Sequence, residues 1–354
     1  MTFLQIVCIF TSGACLLNGI RGVIAHAPFA VPAGLGRMTG PDRPAVPQHS
    51  EPRAIRAPSG ASGLEPRYVG RTPSPVSVLL PASVLSDQPS VQAEHGMWQN
   101  VTVRAASRRG RSHMRRGEPL QDAFMVLPSE DRRWIIAVIA DGVGGSAYAE
   151  VAARTAVAST IRELGLHLRN AVNGPTPAGW RAVFSEVAAD VGDARKSVHG
   201  YPGTDRKPLP STTVVAMVAP ADARPGDTVF VAGIGDSMAL LLRGGTGQWE
   251  GILGPSGSSS DSGNDPTAAL PADLGDLRTL EHGWARDEVL MLATDGFARG
   301  LGRGNSLRDD LAKAWRRPPE LLSFLRDVEF KSATFDDDRT VVALWQGAFD
   351  RQVK

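Results

Sequence analysis

The sequence predicts an α+β layered domain with sheets inside and helices outside. Three observations point there. Several apolar runs are too continuous to be strands with one wet face, so they read as buried on both sides. Two stretches between them carry apolar or small residues at helical spacing. The order is strands, two helices, strands, helices and a last strand, without regular β-α alternation. With 42% apolar residues in 354, a full core is within reach, and 38 basic against 37 acidic residues give no global charge that would suit a nucleic acid.

Residues 1–27 form an apolar leader. No charge interrupts Phe3 to Ile20, and Ala25-His-Ala27 resembles a cleavage site, which suits a signal peptide or membrane anchor. No Lys or Arg precedes the run, and it is at the short end of the roughly 17–25 residues of a span, so a leader without structure is the alternative. Membrane contact is expected only if this leader is a true anchor, and the rest reads as cytoplasmic. Cys8 and Cys15 are too few for a disulfide framework or a zinc site. Residues 28–96 mix Pro, Ala, Ser, Gly and Arg with no lasting period. Disorder is expected there, with at most local docking by Val76–Leu80.

Order is expected over residues 97–348. Gln99–Ala106 alternates and is rich in β-branched residues, so it reads as a strand. Strands follow at Asp122–Leu127 and Trp134–Ala140. After Gly142-Val-Gly-Gly145, the small residues Ala149, Ala152, Ala153, Ala156 and Thr160 give a helix a smooth face for a sheet. A second helix spans about Trp180–Val198, with Val183, Phe184, Val187 and Val191 on one side. Thr212–Val218, Thr228–Ala232, Ser237–Leu242 and Glu288–Ala293 are strands, Leu307–Leu325 is helical, and Arg339–Trp345 is the last strand. Residues 244–276 read as a flexible loop.

Four aspartates sit at strand edges, Asp122, Asp141, Asp295 and Asp337, the second and third followed by a glycine and the last beside another acid. Strand ends let a rigid sheet present carboxylates to one cleft, and such hard oxygen donors suit Mg²⁺ or Mn²⁺. Any single Asp-Gly is a common turn; four together are harder to set aside. The glycine cluster lacks the Lys-Ser/Thr of a P-loop, and no Gly-x-Ser-x-Gly marks a serine hydrolase.

In this order Gln121-Asp-Ala123, Ala140-Asp-Gly-Val-Gly-Gly145, Ser211-Thr-Thr213, Gly235-Asp-Ser237, Ala293-Thr-Asp-Gly296 and Asp337-Asp-Arg-Thr340 resemble the metal-dependent protein phosphatases, the type 2C or PPM family. Ser112-His-Met-Arg-Arg-Gly117 looks like its bacterial branch. The resemblance covers about Trp98–Gly347. It implies a four-layer α-β-β-α sandwich, two antiparallel sheets flanked by helices. It implies a serine/threonine protein phosphatase with two Mn²⁺ or Mg²⁺ ions per active site, which activate a water for direct attack on phosphorus. By the same resemblance Asp141 bridges the metals, the Gly142 carbonyl joins one, Asp295 and Asp337 bind the other, and Asp122 orients water from behind. Phosphorylated Ser/Thr proteins are the implied partners, with a cognate protein kinase opposing the enzyme and no nucleic acid.

An arginine fork matches two phosphate oxygens. Arg116 is preferred over Arg115, while Arg104, Arg108, Arg109, Arg111, Arg115 and Arg116 together also read as a solvated basic face. The chain departs from the family in two places. Val143 stands where some members carry a histidine to protonate the leaving alcohol, leaving water or His113, itself more often structural. Arg299 stands where many members place an acid for a third metal, and Asp236 reads more readily as a turn residue than a ligand. A family-fold protein of weakened catalysis, serving as a regulatory or phosphopeptide-binding module, is therefore the alternative.

Overall fold

The computed structural model describes residues 66–81, 88–146, 148–199, 210–255, 267–302, 306–347 and 349. In chain order the elements are β1 (Tyr68–Val69), β2 (Val91–Trp98), β3 (Val101–Arg108), α1 (Arg111–Arg116), β4 (Asp122–Pro128), β5 (Trp134–Gly142), α2 (Ala149–Leu168), α3 (Pro177–His199), β6 (Thr212–Pro220), β7 (Thr228–Ile234), β8 (Met238–Arg243), β9 (Gln248–Leu253), β10 (Arg278–Gly283), β11 (Glu288–Ala293), α4 (Asp295–Ala298), α5 (Ser306–Ala314), α6 (Leu321–Val328), β12 (Lys331–Ser332) and β13 (Arg339–Gln346). One antiparallel sheet runs β10-β7-β6-β5-β4 and the other β2-β3-β13-β11-β8-β9.

The alternation of side chains along each strand makes the layers. On β5, Ile135, Ala137 and Ile139 face the second sheet, packing with Val215, Met217, Leu290, Leu292, Val342 and Leu344. Trp134, Ile136, Val138 and Ala140 point the other way, onto Ala152, Ala153 and Ala156 of α2 and Phe184 and Val187 of α3. On β13, Val341, Ala343 and Trp345 face outward onto Phe297, Leu311, Trp315 and Phe324. Both faces of each central strand are thus buried, which is why their sequences are continuously apolar. The result is the expected α-β-β-α sandwich.

α3 starts where Pro177 follows Thr176, whose hydroxyl accepts the Gly179 N–H at 3.1 Å, a proline-led, threonine-capped beginning. The helical pattern at 307–325 divides into α5 and α6, because Pro318-Pro319 cannot continue a helix.

Three expectations need correction. Gln99 is not a strand residue: Gln99-Asn100 is the two-residue turn of the β2–β3 hairpin, with Gln99 at φ 49. The segment expected to lack structure to residue 96 is ordered at 66–81 and 88–96. β1 pairs in parallel with β12, and β2 borders the second sheet. Between them the Leu79 N–H donates to the Met114 carbonyl at 2.9 Å, and Arg109 donates to the Leu79 carbonyl at 2.6 Å. The loop expected over 244–276 contains β9, paired with β8. Residues 1–65, with the leader, and 256–266 lie outside the described residues. Among the described residues no helix is long and apolar enough to cross a membrane.

Candidate active site

The pairing of the first sheet sets Asp122, at the start of β4, directly opposite Asp141 on β5, and Asp141 opposite Thr213 on β6. The second sheet brings Asp295 from the end of β11 and Asp336–Asp338 from the approach to β13. Asp141, Gly142, Asp295, Asp336, Asp337 and Arg116 all line one cleft of about 390 Å³, together with His113, Thr213, Asp236 and Arg299. The expected ligands Asp141, Gly142, Asp295 and Asp337, far apart in the chain, therefore converge.

Asp122 stands apart from them. It is fully buried behind the cleft. Its Oδ2 accepts hydroxyls from Thr294, directly after β11, at 3.0 Å and from Thr340 on β13 at 2.8 Å. Its Oδ1 has no protein partner, so one acceptor is left over. These bonds fasten the two sheets at the end where the cleft opens. The other matched elements also hold one another. Thr212 donates to the Asp141 carbonyl at 2.8 Å, and the Thr213 and Ser237 hydroxyls are 2.9 Å apart.

The three consecutive aspartates divide by environment. Asp337 is largely exposed to the cleft, whereas Asp338 is buried. Asp338 accepts the backbone N–H of Gly110 at 2.5 Å and of Gln121 at 2.6 Å, and its Oδ1 is 2.8 Å from Nδ1 of His113. It clasps α1 and the start of β4 to the loop. His113 Nε2 is 3.7 Å from Asp337, so His113, Asp337 and Asp338 form a compact trio whose ligand atoms lie within 4.8 Å of one another. Burial alone would lower the His113 pKa, but Asp338, then Asp337 and Glu118, outweigh it and raise it. Sequence reasoning weighed His113 and missed Asp338, which nothing in a run of identical letters separates from its neighbours.

Glycines explain how the acid-bearing loops come so close. A Cβ on Gly142 would lie 2.7 Å from the backbone of Ala149, so this glycine lets the start of α2 sit on the strand end. A Cβ on Gly296 would be 2.0 Å from the Asp338 carbonyl oxygen. Phe297 then stacks on Trp315 at 5.8 Å, anchoring the Asp295 turn in the core.

Of the six arginines read as a basic group, Arg104 and Arg109 are buried, and Arg108 pairs with Glu329 at 2.8 Å. They do not share one solvated face. Arg116 reaches the cleft with its Nε held by Glu118 Oε2 at 2.6 Å. Arg115 is outside the cleft lining, 3.8 Å from Asp336. Asp236 does occupy a turn, between β7 and β8, but it also faces the cleft, accepting the Thr267 hydroxyl at 3.2 Å. Arg299 Nη2 lies 2.7 Å from Asp295 and 4.0 Å from Asp236.

Burial, and then the neighbouring Asp122, Asp295, Asp337 and Asp236, push the Asp141 carboxyl well above the usual range. Burial and Asp236 push Asp295 up against the opposing pull of Arg299. Such crowded acids are what a divalent cation relieves, and the all-oxygen donor set suits a hard one. These residues fit a metal ion.

A family model described as "Protein phosphatase 2C" matches residues 109–329, from the end of β3 through α6, a span that includes Asp122, Asp141 and Asp295 and stops short of Asp337. Among solved structures, the S. agalactiae serine/threonine phosphatase is similar at 14% identity and TM-score 0.45, covering 72% of this chain and 98% of that one. PppA, described as a key regulatory component of T6SS in Pseudomonas aeruginosa, is similar at 20% identity and TM-score 0.48, covering 70% and 98%. The Mycobacterium tuberculosis serine/threonine phosphatase PstP/Ppp is similar at 20% identity and TM-score 0.46, covering 70% and 99%. No curated protein matches the chain.

Proposed function

The chain belongs to the protein phosphatase 2C family, and from that premise we propose that it is a metal-dependent phosphatase acting on phosphorylated serine or threonine of proteins. The observation that supports this most is the convergence of Asp141, Asp295 and Asp337, carried by two different sheets, on one cleft. Asp141, the Gly142 carbonyl, Asp295 and Asp337 would hold two Mn²⁺ or Mg²⁺ ions. When bound, such ions acidify a water for in-line attack and neutralise charge on the phosphoryl oxygens.

The chain's own residues supply the rest. Asp122, with Oδ2 fixed by two threonines, keeps Oδ1 as an acceptor beside Asp141 to orient a water. Arg116 has its Nε occupied by Glu118, which leaves both terminal NH₂ groups as a fork for the substrate phosphate. Val143 offers no proton to the leaving alkoxide. Water would have to do so, or His113, which lines the cleft and whose pKa is raised by Asp338. The substrates would be proteins phosphorylated by a cognate kinase.

One observation favours a second reading: Arg299 neutralises Asp295 at 2.7 Å, which suits a catalytically weakened module that binds phosphopeptides. Turnover of a phosphopeptide and of a small phosphate ester by the full chain, with and without Mn²⁺, separates the two. We expect metal-dependent hydrolysis that Asp141→Ala abolishes. Activity retained in Asp141→Ala defeats the proposal, and phosphopeptide binding without turnover selects the second reading.

A further inference from the structure

We propose that Arg299 is a tethered counter-ion of the acidic cleft, a guanidinium that competes with a divalent cation for Asp295 and keeps Asp236 out of metal binding. The inference rests on the metal-dependent reading above and adds to it a residue of this chain that sets metal affinity.

Arg299 follows Asp295 by four residues, at the junction of α4 and the short 3₁₀ turn Arg299–Leu301. That spacing places both side chains on the same face of the turn. Its Nη2 lies 2.7 Å from Asp295 Oδ2 and reaches to 4.0 Å from Asp236 Oδ2. The two carboxylates come from different places, the β7–β8 turn and the end of β11, and the guanidinium stands between them. Its side chain is 62% exposed, against 14% for Asp295, so it can leave without disturbing the core. Arginine stays charged at every working pH, so the guanidinium does not leave by losing its own proton, whereas a competing cation can displace it.

A hard divalent ion and an N–H donor seek the same oxygen lone pairs of Asp295. A cation approaching that oxygen must displace the guanidinium. The pair is solvent-facing, so the competition is modest, and an exposed ion pair of this type corresponds to a factor of up to about five in the metal dissociation constant. Removing the positive charge has a second effect. Asp236, otherwise facing a guanidinium, is left as an unneutralised acid on the same side of the cleft and adds its field to the attraction for a cation.

The test is calorimetric titration of Mn²⁺ into the metal-free full chain, comparing wild type, Arg299→Gln, Arg299→Gln with Asp236→Asn, and Asp141→Ala. Arg299→Gln is expected to bind Mn²⁺ up to about fivefold more tightly than wild type. Adding Asp236→Asn should take back only the share of that gain due to the field of Asp236, and the difference between wild type and Arg299→Gln should shrink in high salt. Equal or weaker binding by Arg299→Gln, in a wild type that binds and an Asp141→Ala that does not, overturns this proposal alone. No Mn²⁺ binding by any of the four overturns it together with the phosphatase reading.

Discussion

Gly296→Ala tests how tightly the two halves of the cleft are packed. The added Cβ would lie 2.0 Å from the Asp338 carbonyl oxygen and 3.4 Å from the Asp337 Cβ. A carbon and a carbonyl oxygen meet without repulsion at roughly 3.3 Å, so the gap must open by about 1.3 Å. The obstacle is backbone, and it cannot swing aside, because Asp338 is pinned through its carboxylate to the Gly110 and Gln121 N–H groups. Overpacking of this sort costs about 1–3 kcal/mol, and alanine's better helix propensity returns up to about 1 kcal/mol in α4. At the middle of both ranges the net loss is about 1.5 kcal/mol, which corresponds to a fall in Tm of roughly 3–6 °C for a domain of this size.

The functional effect should be larger than the effect on stability. Asp295 precedes Gly296 and Asp337 precedes Asp338, so the same displacement pushes apart two carboxylates proposed to share a metal. A shift of about 1 Å in such a constellation costs on the order of a hundredfold in rate. The assay is thermal unfolding of the metal-free protein, with Mn²⁺-dependent turnover measured in parallel. Gly145→Ala is the control for stability, since its Cβ meets nothing within 4 Å. Unchanged Tm and unchanged Mn²⁺ dependence in Gly296→Ala would refute the reasoning that this contact sets the spacing of the acids.

Two further outcomes follow from contacts away from the cleft. Arg67 Nε donates to buried Asp327 at 2.6 Å, whose other oxygen accepts the Trp315 Nε1–H at 2.9 Å; Arg67→Ala should cost about 2 kcal/mol in urea unfolding, as a buried carboxylate loses its charged partner, and a loss within error would show that the segment before β2 is not fastened there. Asp190 is held below the usual carboxylate range by the Ser159 hydroxyl and then by Arg162. A depressed folded pKa gives stability that is present above the unfolded value and lost as pH falls through the folded one. Asp190→Asn should therefore flatten the acid limb of stability below about pH 4, by under about 1 kcal/mol since the pair is partly exposed; an unaltered acid limb in denaturation from pH 2 to 6 would count against the pair.

The central strands were legible because they are buried on both faces. Trp134–Ala140 and Glu288–Ala293 are apolar at every position or nearly so, and each leads into an aspartate that the sheet register then places. The α2 face was legible for a related reason: Ala152, Ala153 and Ala156 allow close approach, and the structure packs them onto Ile136, Val138 and Ala140. Edge strands were not legible. β10 reads Arg-Thr-Leu-Glu-His-Gly, with half of its positions exposed, and β2 is exposed or half-exposed throughout. An edge strand is held by backbone bonds to one neighbour and carries polar residues outward, so its sequence lacks the apolar period that identifies a buried one. The proline-rich segment before β2 was misread on similar grounds. It docks through partners that lie elsewhere in the chain, its backbone on the Arg109 guanidinium, its Arg67 side chain on Asp327 and Val69 in the core.

Within the site, the sequence carried the choice of residue types and not their division of labour. Asp337 and Asp338 are chemically identical and adjacent, yet one faces solvent in the cleft while the other is buried. What separates them is supplied by partners far away in sequence. Gly110 and Gln121 present N–H groups to Asp338, His113 adds its ring nitrogen, and the absence of a Cβ at Gly110 lets the Asp337 backbone approach to a distance that any side chain would block. The glycines tell the same story. From the sequence, the glycine after Asp141 suggested a carbonyl approaching a metal. The structure gives Gly142 and Gly296 a prior task, bringing α2 and the Asp338 loop against the strand ends. The glycines after Asp141 and Asp295 are therefore packing requirements of a cleft assembled from two sheets, and any metal binding there is a consequence of the closeness they permit.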